Sequence, residues 1–234
     1  RDDVESRGLG DVYKRQSIKG TKYPDEYVII SGHLDSYDVA TGGIDCGTGI
    51  GPMMEAARMI ALSGAKPKRT ILFVAFAGEE FGLLGAKAYV KTHAKELGKI
   101  ANLFNRDGGP TPPVGISVPQ AMYDDFVEVC KPVKEIRADY PFEVKVAKPF
   151  KRPTQSGGTD ASVFAVEGVP TFGFNTQDIK GYNFSYGEIW HTERDLYTKN
   201  IPEYQEHAAT VTAVVALGIA NLSKQLSREG MHKK

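Results

Sequence analysis

The amino-acid sequence predicts an α/β fold: a three-layer sandwich whose central, mostly parallel sheet is covered by helices on both faces. Two observations lead to this prediction. Short β-rich runs alternate along the 234 residues with segments whose apolar residues recur at helical spacing. One run, residues 69–77 (RTILFVAFA), is apolar over its last seven positions, as expected of a strand that is buried on both faces.

Each predicted strand is a short β-rich run that stops near a polar residue or a turn. The strands are predicted at residues 26–31, 69–77, 100–105 and 171–175, with a weaker candidate at 142–148. The first three stop shortly before a histidine or an acidic residue. Because ligand sites in parallel sheets form beyond the carboxyl ends of the strands, a functional site is expected at that edge.

Helices are predicted where apolar residues recur three or four positions apart. These segments are residues 51–62, 83–92, 121–133 and 202–226. The last begins with Pro202, which is tolerated in a first helical turn because no hydrogen bond needs its missing N–H. Two loops rich in proline and glycine, at residues 110–119 and 148–158, complete the chain, and the second is expected to rim a pocket.

Composition excludes several classes of protein. Lysine plus arginine and aspartate plus glutamate both number 29, so the formal net charge is zero and neither a nucleic-acid groove nor a polybasic membrane patch is expected. The two cysteines, Cys46 and Cys130, do not form a disulfide framework. No apolar run reaches transmembrane length.

Five side chains of metal-binding type occur at the predicted strand ends and in loops. Each alone has an ordinary explanation, such as a strand-end histidine, a helix-capping or turn aspartate, or a surface His–Asp pair. Together, two histidines and three carboxylates can hold two Zn²⁺ ions if one carboxylate bridges them. These candidate ligands are His33, Asp45, Glu80, Asp107 and His191.

Glu79 and Glu80 follow a predicted buried strand directly. Adjacent buried carboxylates repel each other and lose hydration, so cations are expected beside them. We expect Glu80 to ligate and Glu79 to act as a general base, which would deprotonate water and later protonate the leaving amine. Asp35, two residues after His33, is expected to accept a hydrogen bond from the imidazole and fix its orientation.

Several segments resemble the co-catalytic di-zinc exopeptidases, over about residues 18–225. They are residues 32–36 (GHLDS), 43–49 (GIDCGTG), 76–80 (FAGEE), 157–164 (GGTDASVF), 168–170 (GVP) and 190–195 (WHTERD). The resemblance implies a phosphorylase/hydrolase-like fold with two Zn²⁺. It implies His33 and Asp107 on one ion, Glu80 and His191 on the other, and Asp45 as the bridge. It also implies catalysis through a metal-bridging hydroxide with Glu79 as general base and Asp35 as the orienting acid.

The function expected from this resemblance is zinc-dependent hydrolysis of a peptide bond near a chain terminus, with an aminopeptidase as the leading hypothesis. Alternatives are a carboxypeptidase or dipeptidase of the carboxypeptidase Q type, a single-zinc cyclase, and a metal-free binding domain without catalysis. The expected substrate is a peptide or a small aminoacyl compound. The family resemblance also implies a secreted or periplasmic location, and the oligomeric state stays open.

The expected domain boundaries follow from the composition of the chain ends and from the extent of the resemblance. Residues 1–16 (RDDVESRGLGDVYKRQ) are charged, lack a helical or strand period and are expected to be non-native or disordered. Residues 17–228 are expected to form the catalytic domain, truncated at its N-terminal side, and residues 229–234 a tail. Two positions depart from the family: Cys46 replaces Asn or Asp, and Trp190 replaces a Tyr that contacts the oxyanion. Tyr182 and Tyr186 are candidates for that contact.

Overall fold

A computed structural model describes residues 12–233 of the chain. The strands of this part are β1 (Tyr13–Ile18), β2 (Tyr23–His33), β3 (Arg69–Phe76), β4 (Ile100–Asn105), β5 (Pro113–Pro119), β6 (Glu143–Ala147), β7 (Phe150–Lys151), β8 (Phe174–Thr176) and β9 (Met231–Lys233). The helices are α1 (Gly47–Leu62), α2 (Leu84–Thr92), α3 (Tyr123–Ile136), α4 (Asp160–Val166) and α5 (Pro202–Asn221).

The strands form a four-stranded sheet in the order β1-β3-β2-β4, a three-stranded sheet in the order β6-β5-β8, and a two-stranded β7–β9 pair. In the first sheet β2 runs parallel to both β3 and β4, and β1 lies antiparallel on the outer side of β3. In the second sheet β5 is parallel to β6 and antiparallel to β8. The predicted α/β class is confirmed.

Side chains of the first sheet alternate between two apolar clusters, which explains why its central strands are apolar throughout. In β2, Val28 and Ile30 pack with α1, α3 and α5. Ile29, between them, packs with α2 and α4 on the opposite face. Successive residues of a strand point to opposite faces, so a strand covered on both sides needs apolar residues at every position. The three layers of the fold follow from this arrangement.

Four strands were not predicted, namely β1, β5 and the short pair β7 and β9. β1 (YKRQSI) is polar because it is an edge strand, and its pairing with β3 rests on main-chain hydrogen bonds. β5 lies where a proline-rich loop was expected, but Pro113 and Pro119 occupy its two ends, where a missing N–H is tolerated. The last helix is also shorter than predicted: α5 ends at Asn221 and not at residue 226.

The expected N-terminal boundary falls inside a strand, and the expected C-terminal tail contains another strand. Residues 13–16 belong to β1, whereas residues 1–11 lie outside the part of the chain that the structure describes. Within the predicted tail, β9 pairs with β7. No helix among residues 12–233 has the length and apolar character needed to cross a membrane.

Candidate metal centre and active site

The predicted site residues lie at one edge of the four-stranded sheet. His33 is the last residue of β2, Glu79 and Glu80 follow β3, and Asp107 follows β4 by one intervening residue. Because β2 lies between β3 and β4 and is parallel to both, these strand ends meet at the same edge. Asp45 approaches from the loop before α1.

The five candidate ligands come together at this edge. His33 Nε2 lies 3.0 Å from Asp45 Oδ1 and 3.4 Å from Asp107 Oδ1. His191 Nε2 lies 2.9 Å from Glu80 Oε2. His33, Asp45 and Glu80 also offer donor atoms that all lie within 4.8 Å of one another. The arrangement therefore has two halves, one around His33 and one around His191, with Asp45 close to both.

The tautomer of His33 is set by the main chain. The carbonyl oxygen of Asp35 lies 2.9 Å from His33 Nδ1, and a carbonyl only accepts hydrogen bonds, so Nδ1 carries the proton. Burial lowers the pKa of His33, but hydrogen bonds to Asp107 and Asp45 outweigh it and raise the pKa, so the metal-free ring also carries a proton on Nε2. In the neutral imidazole that remains when a metal replaces this proton, the Nε2 lone pair faces Asp45 and Asp107. A metal ion is the partner that suits an unprotonated ring nitrogen beside two carboxylates.

The negative charges of the clustered carboxylates also favour a bound cation. Burial raises the pKa of Glu80 and of Asp107, and it raises the pKa of Glu79 to about 8, with the negative charge of Asp107 adding to the effect. Glu80 Oε1 is buried and accepts no hydrogen bond from residues 12–233. Two imidazoles and three carboxylates are ligands that zinc accepts. The residues present fit zinc.

The Asp35 side chain does not accept the hydrogen bond from the His33 ring that was expected, because the Asp35 carbonyl oxygen accepts it instead. Its carboxylate lies 3.8 Å from His33 Nδ1. The carboxylate instead accepts hydrogen bonds from two consecutive main-chain N–H groups, those of Glu79 and Glu80, both at 3.1 Å. The carbonyl of Asp35 faces the ring, while its side chain reaches the two residues that follow β3. Asp35 thus holds the His33 ring and the Glu79–Glu80 backbone together.

Two aromatic rings contact the imidazole of His191. The ring of Tyr37 stacks on it at 4.2 Å between centroids with the planes 4° apart, and the ring of Trp190 lies 4.1 Å away at 31°. Backbone φ at His191 is +59°, in the left-handed region that side chains rarely adopt. Sequence reasoning identified Trp190 but not Tyr37, which carries no motif signal and comes from a distant loop.

The two tyrosines that were candidates for contacting the oxyanion lie in different environments. Burial and the negative charge of Asp45 raise the pKa of Tyr186, which is therefore beside the cluster. Tyr182 is exposed and donates a hydrogen bond to Glu203. Cys46 follows a cis peptide bond, and its thiol donates to the carbonyl oxygen of Arg106 at 3.0 Å. Of the two candidates, Tyr186 is the one that lies beside Asp45.

A cavity of about 370 Å³ opens over the cluster. Trp190 and Leu83 form part of its wall, and Lys87 contributes a positive charge. Residues 156–158, at the end of the loop that was expected to rim a pocket, also line it. The cavity is large enough for one or two amino-acid residues of a substrate next to the candidate metal ligands.

Asp160, in the GGTD segment, is fully buried at the start of α4. No group among residues 12–233 donates a hydrogen bond to either of its carboxylate oxygens. Burial raises the pKa of Asp160 to about 7, with a further increase from the charge of Asp107. Sequence reasoning included this residue in a motif without giving it a role.

We expect Asp160→Asn to stabilise the chelator-treated protein at pH 8.5 by on the order of 1–3 kcal/mol. The pKa of Asp160 is higher in the folded protein than its ordinary 3.8, so stability is lost as pH rises from about 4 through about 7. The amide cannot ionise and escapes that loss. Urea unfolding at pH 5 and pH 8.5 measures the difference. A parent and variant with equal stability at both pH values would contradict this account of the Asp160 carboxylate.

Comparison with known proteins points to one family. A model of peptidase family M28 matches residues 16–215. Carboxypeptidase Q from Rattus norvegicus is 32% identical over 211 residues, which cover 90% of this chain and 42% of that protein. The crystal structure of a Peptidase M28 precursor from Shewanella amazonensis SB2B has a TM-score of 0.76 and 32% identity, over 92% of this chain and 46% of that chain.

The fold is shared more widely. BSAP, a zinc aminopeptidase from Bacillus subtilis, has a TM-score of 0.67 at 21% identity, over 94% of this chain and 53% of that chain. At this level of identity the likeness concerns the fold alone. The chain spans about half the length of the relatives that it matches.

Proposed function

This chain belongs to peptidase family M28, and on that premise we propose that it is a zinc-dependent exopeptidase with Glu79 as general base. The observation that carries the proposal is the meeting of two histidines and three carboxylates at one sheet edge, with Glu79 beside them. We propose an aminopeptidase first. A carboxypeptidase or dipeptidase is the alternative, favoured by the 32% identity to carboxypeptidase Q.

We propose two Zn²⁺ ions. His33 and Asp107 would hold one, Glu80 and His191 the other, and Asp45 would bridge them, in agreement with the two halves of the cluster. When bound, zinc supplies a Lewis acid that polarises the scissile carbonyl and makes water more acidic.

Glu79 moves the proton in this proposal. Its main-chain N–H is held by Asp35, so its side chain projects into the cavity from a fixed backbone. In the metal-free site its pKa is about 8, and positive charge nearby lowers the pKa of a carboxyl group. Glu79 can therefore accept a proton from the attacking water near neutral pH and return it to the leaving amine.

Tyr186 contributes a hydrogen-bond donor. A hydroxyl whose pKa is raised stays protonated at any physiological pH. Placed beside the Asp45 side chain, it can donate to the substrate oxygen that gains negative charge during attack. The rings of Trp190 and Tyr37, both in contact with His191, limit the orientations that its imidazole can adopt. From the family resemblance we propose a secreted or periplasmic location.

Metal analysis combined with a substrate panel tests this function. We expect about two zinc ions per chain and hydrolysis of aminoacyl amides and of peptides with a free N-terminus. Cleavage of N-blocked dipeptides, with aminoacyl amides untouched, would move the assignment to the carboxypeptidase alternative. A zinc-loaded chain that cleaves no peptide bond in the panel would overturn the proposed function.

A further inference from the structure

Asp195 is a buried carboxylate whose partners are main-chain N–H groups. It is 1% exposed. Its Oδ1 accepts a hydrogen bond from Ile44 N at 2.6 Å and its Oδ2 one from Asp45 N at 3.2 Å. The ion pairs of residues 12–233 include none between Asp195 and His191, although four-residue spacing had allowed for a surface His–Asp pair. Both side-chain oxygens are thus used to hold the backbone that carries Asp45.

The main chain of Asp195 binds the other end of the same loop. Its carbonyl oxygen accepts from Thr41 N at 3.2 Å and from Thr41 Oγ1 at 2.9 Å. Between these two attachments, Gly43 lies so close to the following segment that a Cβ there would be 2.2 Å from Tyr197 N. The loop at residues 41–45 is therefore fixed to the segment that follows His191 at both ends and in its middle.

A second carboxylate binds two consecutive main-chain N–H groups on the other side of the candidate metal centre. The carboxylate of Asp35 accepts from the consecutive N–H groups of Glu79 and Glu80, just as the carboxylate of Asp195 does from Ile44 and Asp45. In both cases a carboxylate that ligates nothing holds a loop that carries a candidate ligand. Charge-assisted hydrogen bonds to main-chain N–H groups are stronger than neutral ones, which suits them to this task.

We propose that Asp195 is a positioning residue that couples Asp45 to His191 and thereby sets the spacing of the two metal positions. This inference rests on the proposed function. Asp45 would contact both ions, whereas His191 would ligate only one of them. A link between the segments that carry these two ligands therefore fixes the position of Asp45 relative to the ion held by His191. Asp195 itself lies outside the reacting groups and acts through the Asp45 backbone.

Asp195→Asn tests this coupling because it keeps the shape of the side chain but leaves it with one acceptor oxygen instead of two. That oxygen can keep the shorter bond to Ile44 N, and the amide nitrogen then faces the N–H of Asp45, which loses its acceptor. Groups that support metal ligands contribute about 10–100-fold in metal affinity or activity. We expect a loss of that size in the affinity for one zinc ion and in kcat, with KM changed by less than about twofold.

The chain carries its own reporter for this measurement. Trp190 is the single tryptophan, and its ring lies 4.1 Å from that of His191. Zinc titration of the metal-free protein, followed by tryptophan emission and by direct metal analysis, reports binding without reference to activity. Glu193→Gln, an exposed neighbour on the same segment, is the matched control and should behave as the parent.

Thr41→Val provides a milder second variant, since it removes only the hydroxyl bond to the Asp195 carbonyl. We expect a smaller loss of zinc affinity in the same direction. A folded Asp195→Asn protein that binds two zinc ions as tightly as the parent and keeps its kcat would overturn the inference, as would a Thr41→Val protein with parental affinity if Asp195→Asn does not fold. A parent that binds zinc but cleaves no peptide would instead count against the proposed function.

Discussion

Glu79→Gln is expected to lower kcat by about 10²–10⁴-fold, the usual contribution of a general base, while the zinc content stays near that of the parent. Glutamine fills the same space in the cavity but cannot accept and return a proton at neutral pH. The hydrogen bond from its main-chain N–H to Asp35 is unaffected, so the neighbouring Glu80 keeps its place. Steady-state kinetics and metal analysis of the purified variant measure both quantities.

Glu80→Gln is the matched comparison. It makes the same chemical change one residue later, at a side chain 2.9 Å from His191 Nε2. We expect it to lose zinc as well as activity, because a carboxylate oxygen of the candidate ligand set is replaced. If Glu79→Gln keeps most of the parental activity, Glu79 is not the base. If it loses zinc as Glu80→Gln does, Glu79 acts as a ligand instead.

The position of the site was predictable because it depends on sheet topology. A parallel sheet brings the carboxyl ends of neighbouring strands together, and the sequence places His33, Glu80 and Asp107 shortly after three apolar runs. Those runs are β2, β3 and β4, which are neighbours in the sheet. Local periodicity and strand-end chemistry were therefore sufficient to bring these residues to one edge.

Contacts between distant segments were not predictable in the same way. Asp195 meets Ile44 across 151 positions of sequence, and Asp35 meets Glu79 across 44. Both contacts join a side chain to main-chain N–H groups, which are the same in every residue and leave no trace in the sequence. The stacking of Tyr37 on His191 has no local signature either. These partners depend on how loops pack, which strand and helix periods do not specify.

β1, one of the strands that were not predicted, shows a related limit. β1 pairs with the main chain of β3, and Tyr13 and Ile18 pack against the apolar clusters, but Lys14 and Gln16 are exposed. An edge strand needs only one apolar face, so its residues resemble a polar terminal segment. β3 is easy to recognise in the sequence because burial on both faces requires apolar residues throughout. An edge strand is not buried in this way and lacks that pattern.

Removing zinc is expected to abolish hydrolysis, with a loss of at least about 10³-fold. A metal ion supplies several kcal/mol of transition-state stabilisation, and every 1.36 kcal/mol corresponds to a factor of about ten in rate. The carboxylates of Asp45, Glu80 and Asp107 lie close together around the rings of His33 and His191, so their negative charges need a cation nearby. Activity after chelation and dialysis, followed by titration with ZnCl₂, measures the effect.

We expect activity to return with about two equivalents of zinc and not with Mg²⁺, which prefers octahedral oxygen ligands and is poorly matched to two imidazoles. Full recovery after one equivalent would show that one zinc ion is sufficient and would leave the half around His33 or the half around His191 without a catalytic role. His33→Ala and His191→Ala then identify the half that matters, because each removes the only imidazole of one half. Unchanged hydrolysis by the chelated protein would exclude a metal-dependent mechanism for these residues.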